Sequence, residues 1–267
     1  MSTYLDAIID RKRSDLQQVK GTIPLVDLKA RILGMPPPSD FHTALAMPGI
    51  QVIAEIKKAS PSRGDIAPNA DHIEVARAYS SGGAAAISVL TEEPNFKGQL
   101  AYLSDIKNAL PETSPPLLRK DFIVDPYQVY ETRAFGADAL LFIVAALSDQ
   151  QLTELLGIAD NLGLGSLVEV HDTEEAARAN AAGAGIVGIN NRNLYSFDVD
   201  LSTTLRVRPT IPSGTLVVSE SGIQNERDVG RLAAWDVDAF LIGEALMRSK
   251  DPTSLLESFI QPHKSIQ

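Results

Sequence analysis

Apolar and polar positions change rhythm near residue 50. Before that point Leu5, Ile8, Ile9, Leu16 and Val19 recur at helical spacing among charged residues, which predicts an amphipathic helix with one face against a core. A second short helix over 26–33 is stopped by Pro36, Pro37 and Pro38, whose rings fix φ and carry no N–H to continue a helical ladder. From Gln51 onward, short apolar, β-branched runs alternate with longer amphipathic stretches. The runs lie at 52–56, 85–90, 117–119, 139–144, 167–170, 186–189, 216–218 and 239–242, eight in all.

Several runs are approached in the same way, by a helix end, a glycine and small residues. Ser81-Gly82-Gly83-Ala84, Phe135-Gly136-Ala137-Asp138 and Ala182-Gly183-Ala184-Gly185 each offer a left-handed helix terminator just before a strand. After the fifth run, Asp172 followed three residues later by Glu175 is a helix-start signal. Strands that are apolar on both faces, each followed by one helix, predict a closed parallel (β/α)8 TIM barrel. A doubly wound open sheet is the rival, but no G-x-G-x-x-G follows the first strand. The division expected is a helical N-terminal extension over 1–48 packed on a barrel over 49–267, a single domain overall.

Composition narrows the classes. With 34 acidic against 24 basic side chains the formal charge is −10, a poor match for a nucleic-acid partner held by phosphate contacts. Zero cysteines exclude disulfides, thiolate metal sites and a cysteine nucleophile. The N-terminal residues are interrupted by charges and no apolar run approaches the roughly 20 residues of a bilayer span, so a cytoplasmic protein without a membrane partner is expected. His42, His72, His171 and His263 lack metal-ligand spacing, and His171 reads as a solvated residue at a helix start. No metal site is expected.

The chemistry lies where the strands end, because a barrel of this kind carries its active site at the carboxyl ends of its strands. Glu55 and Lys57 share a side by the period of two. Lys120, Glu169, Asn190 with Arg192, and Glu220 with Ser221 stand at the ends of the third, fifth, sixth and seventh strands. Three carboxylates and three cations thus face one mouth, a set that mutual compensation alone can also explain. Ser221-Gly222 and Gly243 sit where such barrels hold a phosphate on backbone N–H groups. The loop Ser60-Pro61-Ser62-Arg63-Gly64 adds hydroxyls and a cation, and Phe96 and Phe122 fall in loops where they can meet an aromatic substrate.

Five of these segments resemble the signature segments of the indole-3-glycerol-phosphate synthase family: Glu55-Ile56-Lys57-Lys58-Ala59-Ser60-Pro61-Ser62, Leu118-Arg119-Lys120-Asp121-Phe122-Ile123, Leu167-Val168-Glu169-Val170-His171, Gly188-Ile189-Asn190-Asn191-Arg192-Asn193-Leu194 and Ser219-Glu220-Ser221-Gly222-Ile223. The resemblance implies a (β/α)8 lyase of tryptophan biosynthesis without metal or organic cofactor. It would convert the anionic sugar phosphate 1-(2-carboxyphenylamino)-1-deoxyribulose 5-phosphate into indole-3-glycerol phosphate, carbon dioxide and water. By the same resemblance Lys57 pairs with the substrate carboxylate, Lys120 is the general acid of ring closure, and Glu169 is the acid/base group of the dehydration. Glu55, Asn190 and Glu220 orient the lysines and sugar hydroxyls, while Arg192 and Ser221 fall in substrate-binding segments. Ser60, Gly222 and Gly243 would hold the phosphate, and Phe96, Phe122 and Leu194 the anthranilate ring. A monomer is expected, with association with other tryptophan-pathway enzymes as a further expectation.

Two physical expectations accompany this reading. Partial burial and the nearby Lys57 should lower the pKa of Lys120 from about 10.4 and make it a better acid. Glu244, where some relatives place a small serine, should repel a phosphate unless its side chain turns away. The rivals are a sugar-phosphate isomerase or aldolase on the same barrel, the latter through a Schiff-base lysine, and a non-enzymatic barrel acting as a binding partner.

Overall fold

A computed structural model describes residues 4–261; His263 and the outermost residues of both expected segments lie outside the described residues. Eight parallel strands close into a barrel, and we number them β1 (Gln51–Ile56), β2 (Ala86–Leu90), β3 (Leu117–Lys120), β4 (Ala139–Ile143), β5 (Gly165–Val170), β6 (Ile186–Asn190), β7 (Leu216–Glu220) and β8 (Ala239–Ile242). Each pairs with its neighbours in chain order, and β1 closes the ring by pairing with both β2 and β8, Ile53 opposite Ala86 and Leu241. Gly83, Gly136 and Gly183 all adopt positive φ at the helix-to-strand turns, the left-handed termination that glycine permits at little cost.

Alternation along the strands sorts their side chains. Val52, Ala54 and Ile56 face the surrounding helices, whereas Ile53, Leu118, Leu141, Leu167, Val218 and Leu241 fill the barrel interior. Continuing the inward set by two residues toward the carboxyl ends reaches Glu55, Lys120, Glu169 and Glu220. The period of two therefore converts an apolar core into a polar mouth within one pleat. Arg119, outward on the same strand as Lys120, is buried and bonds the Gln128 carbonyl at 3.2 Å and Thr132 at 3.1 Å on the helix that follows β3.

The extension is built from α1 (Tyr4–Thr22), α2 (Leu25–Leu33) and α3 (Phe41–Leu45). Sequence reading does not anticipate α3, whose Asp40 cap accepts from the Thr43 N–H at 2.9 Å. Phe41 and Leu45 of this short helix are buried with the barrel-interior residues, and Phe41 packs directly on Gly165, where an added Cβ would stand 2.7 Å from it. A small residue at the start of β5 is thus required by the plug. Asp138, buried before β4, accepts from the N–H groups of Ser39 and Leu117, each at 2.8 Å, and pairs with Lys107, tying the extension to the barrel base.

At the opposite end α1 crosses the barrel mouth. Leu5, Ile8, Ile9 and Leu16 form its buried face. Lys12 reaches Asp121 at 2.6 Å and Arg11 reaches Glu92 at 2.7 Å. Glu92 also caps the short helix Glu93–Phe96 by accepting from Asn95 and Phe96. Helix α1 is a roof tethered to the segments after β2 and β3, which carry Phe96 and Phe122.

Candidate active site

A cavity of about 650 Å³ opens at the carboxyl ends of the strands. Glu55, Lys57, Lys120, Glu169, Asn190 and Glu220 line it, as do Ser60, Phe96, Phe122, Arg192, Leu194, Ser221, Gly222 and Gly243. The structure thus brings together all the residues singled out in the sequence. Arg63, the cation of the loop after β1, also lines it, and residues that sequence reading missed complete the walls: Tyr4, Leu5 and Ile8 from α1, Leu141 and Ile143 from β4, and Arg248 near the rim. The pattern of α1 revealed an apolar face without indicating that part of it roofs a cavity.

At the centre, the Lys120 ammonium lies 3.2 Å from Glu169 and 3.6 Å from Glu220. Lys57 pairs with Glu55 at 2.6 Å. The expectation of a lowered Lys120 pKa is overturned. Burial does disfavour its charge, but the carboxylates of Glu169, Glu220 and Glu55 outweigh burial and hold it above the ordinary lysine range. Sequence reading counted the neighbouring cation and left out the carboxylates that converge from three other strands.

The carboxylates divide. Burial raises the pKa of Glu169, but Lys120 and His171 more than offset it, so Glu169 stays well below the usual carboxylate range. Glu220 is pushed up by burial and by repulsion from Glu169 and Glu55, against the attraction of Lys120. A proton on Glu220 can be donated to the neighbouring Glu169 carboxylate, which favours the protonated form further. Two buried glycines make room for this cluster: a Cβ on Gly188 would collide with the Glu220 carboxyl, and one on Gly243 would come within 2.5 Å of Glu55.

Asn190 accepts from the Arg192 N–H at 3.0 Å and also bonds Glu169, linking β5 to the loop after β6. Beside it, Asn191 is buried and donates to Ser219 Oγ and the Glu220 carbonyl, both at 3.0 Å, and accepts from Thr204 Oγ1 at 2.8 Å. This amide fastens the end of β7, where Ser221 and Gly222 take consecutive positive φ values of 67° and 85°. Gly222 is doubly constrained, since a Cβ there would also strike Val199.

Glu244 lines the cavity, but its carboxylate is engaged by Arg63 at 3.4 Å and Arg248 at 3.2 Å. Arg192 acts on the same carboxylate electrostatically. Three guanidinium groups against one carboxylate leave two positive charges at this end, so Glu244 tempers the local field without reversing it. Its repulsion of an anion is met by pairing.

His171 corrects the sequence reading. Its side chain is 12% exposed, with Nε2 3.3 Å from Glu169 and Nδ1 3.0 Å from Glu175, so it is neither solvated nor idle. The spacing to Glu175 marked a helix start and concealed this contact. Among the described residues no group of three or more His, Asp or Glu side chains is placed to hold a metal ion, and no helix is long and apolar enough to cross a membrane.

Comparison with known proteins gives this arrangement a family. Among solved structures the chain resembles thiamine phosphate pyrophosphorylase from Pyrococcus furiosus, with a TM-score of 0.59 at 19% identity over 79% of this chain and 93% of that one. It also resembles 3-hexulose-6-phosphate synthase, with a TM-score of 0.59 at 18% identity over 79% and 97% of the two chains. At such identities these matches show the fold alone. Sequence relatives go further: indole-3-glycerol phosphate synthase of Dehalococcoides mccartyi is 48% identical over 92% of this chain and 96% of its own length. That of Mycolicibacterium gilvum is 46% identical over 97% and 94%. A sequence model of the same family matches residues 5–259, and the chain therefore belongs to the indole-3-glycerol phosphate synthase family.

Proposed function

We propose that Lys57, Lys120 and Glu169 carry the chemical steps of the family's reaction in this cavity. The enzyme is a decarboxylating carbon–carbon lyase of tryptophan biosynthesis, converting 1-(2-carboxyphenylamino)-1-deoxyribulose 5-phosphate into indole-3-glycerol phosphate, carbon dioxide and water. The observation that carries the assignment is the position of the Lys120 ammonium, 3.2 Å from Glu169 and 3.6 Å from Glu220 at the floor of the cavity.

Ring closure needs a proton on the ribulose carbonyl oxygen while the electron-rich arene attacks the carbonyl carbon. Lys120, held charged by the acidic side chains around it, presents its proton over the whole neutral range. A raised pKa does not prevent the transfer, because the oxygen becomes alkoxide-like as the bond forms and is then the stronger base. The substrate carboxylate is placed against Lys57, which must exchange part of its pairing with Glu55 for the new anion. Carbon dioxide leaves from the same ring carbon and restores the aromatic system. Dehydration then expels the hydroxyl and a proton, and Glu169 is the group that moves that proton. Glu220, carrying a proton of its own, stands beside Lys120 and can return the one Lys120 has given up.

At the other end, the phosphate is assigned to Ser60 and to the backbone of Gly222 and Gly243, with the excess positive charge of Arg63, Arg192 and Arg248 facing it. Phe96 and Phe122, with ring centroids 6.4 Å apart, and Leu194 form the apolar wall for the anthranilate ring. The same charge balance speaks against the Schiff-base aldolase, because a lysine held as ammonium is not a free amine nucleophile. A monomeric enzyme of the cytoplasm is part of the proposal. The test is incubation of the protein with the carboxyphenylamino substrate without added metal: indole fluorescence that grows with enzyme concentration supports the assignment, and its absence with intact protein refutes it.

A further inference from the structure

His171 is not used by the scheme above, yet it is built into the site. It directly follows β5, two residues beyond Glu169, and is not among the residues that line the cavity. Glu175, on the helix Thr173–Ala181, places one oxygen 2.8 Å from the His171 backbone N–H and 3.0 Å from Nδ1. Nε2 is buried and stands 3.3 Å from Glu169 Oε1.

Each ring nitrogen therefore faces a carboxylate. A neutral imidazole carries one N–H and would turn a lone pair toward one of the two anions, whereas the imidazolium has a proton for each. Burial opposes that charge, and Glu169 and Glu175 outweigh it, raising the pKa to about 10. Beyond Glu169, the charged neighbour is Lys120, which contacts the other oxygen, Oε2, and Glu220 lies next to both. The Glu169 carboxylate is thus held between two cations, one at each oxygen, of which Lys120 lines the cavity and His171 does not.

We propose that His171, as an imidazolium, is a positioning residue for Glu169: it keeps that carboxylate ionised and turned toward the reacting ring, and its charge sets the pH below which the enzyme loses activity. The proposal rests on the reading of Glu169 as the group that moves the proton of dehydration. The sign follows from charge. A cation beside a carboxylate favours the ionised form, so removing it raises the pKa of Glu169 and moves the acidic limb of kcat to higher pH.

Two measurements on the full-length enzyme test this. The first is NMR titration of the His171 ring, which does not depend on turnover: the ring should remain an imidazolium to beyond pH 8 and titrate lower in Glu175→Gln. A ring that titrates near the ordinary value of about 6.5 overturns the proposal. The second is the kcat profile of His171→Gln, which keeps an N–H near Glu169 and removes the charge. The acidic limb should rise by about one pH unit, with kcat at neutral pH down roughly tenfold and KM within about threefold. A loss of kcat without movement of the limb, or an unchanged profile, overturns the proposal in favour of a merely structural histidine. Glu169→Gln is the control: near-normal turnover by that variant would sink the reading of Glu169 and with it the catalytic half of this proposal, while the ring titration still decides the electrostatic half.

Discussion

Replacing Lys120 by methionine removes one ammonium and leaves the methylene stem, so the apolar packing of the side chain is largely retained. At an effective dielectric of about 20, a charge 3.2 Å from Glu169 interacts by roughly 5 kcal/mol, and the 3.6 Å contact with a charged Glu220 would be of similar size. These gross attractions are offset by the several kcal/mol needed to bury each ion. Stability should therefore fall by less than the Coulomb figures suggest, because Glu169 can take up a proton once its cation is gone. Catalysis has no such relief. Loss of a general acid costs about 10²- to 10⁴-fold, or roughly 3 to 5 kcal/mol of transition-state stabilisation. We expect kcat of Lys120→Met to fall by at least about 10²-fold in the indole-fluorescence assay, with circular dichroism unchanged. The acidic limb should also move to higher pH, since Glu169 loses its nearer cation. Turnover within about threefold of the parent would refute the role of Lys120, whatever the resemblance of the surrounding segment.

Other perturbations test separate parts of the account. Asp121→Asn removes the buried acceptor shared by Lys12 at 2.6 Å, Thr91 at 2.7 Å and Arg119 at 3.1 Å. Breaking such a network should cost about 3 to 5 kcal/mol in urea unfolding and raise KM as α1 loosens over the cavity; a cost below about 1 kcal/mol would contradict the tether. Gly222→Ala introduces a side chain at a φ of 85° against Val199, with an expected loss of about 1 to 3 kcal/mol and weaker substrate binding, read by thermal melting and KM. Glu244→Gln removes the one carboxylate from the arginine-rich end, so inorganic phosphate should inhibit more strongly, by about threefold to tenfold at low salt; unchanged or weaker inhibition would place the phosphate elsewhere.

The legibility of this site in the sequence has a physical limit that its own residues display. All eight strands stand out as apolar runs, but three runs stop before the strands do, since Lys120, Asn190 and Glu220 are within strands, and a fourth starts late, since β5 begins two residues earlier at Gly165. A strand in this barrel continues after its apolar residues end, because its last inward position is reserved for chemistry. Local patterning also shows which strand residues point inward, and this is why Glu55, Lys120, Glu169 and Glu220 were readable as single positions, whereas Leu194 entered only through the family resemblance. The sum of the fields at those positions is a property of the closed ring. The Lys120 expectation failed for that reason, since the carboxylates that reverse its pKa shift come from strands β1, β5 and β7. His171 was misread for a related one: its partner Glu175 carries a helix-start signal, and nothing in the spacing distinguishes a capping glutamate from one that also holds an imidazole. The plug formed by Phe41 was hidden because α3 has five residues, too few to show a period.

The proposed chemistry requires one orientation of the substrate, with phosphate at the ends of β7 and β8 and the reacting carbons over Lys120. A crystal structure with indole-3-glycerol phosphate bound measures this directly. The phosphate should lie within hydrogen-bond distance of the Gly222 and Gly243 N–H groups, and the indole ring against Phe96 and Phe122, within reach of Lys120 and Glu169. A product bound the other way round, or outside this cavity, would contradict it.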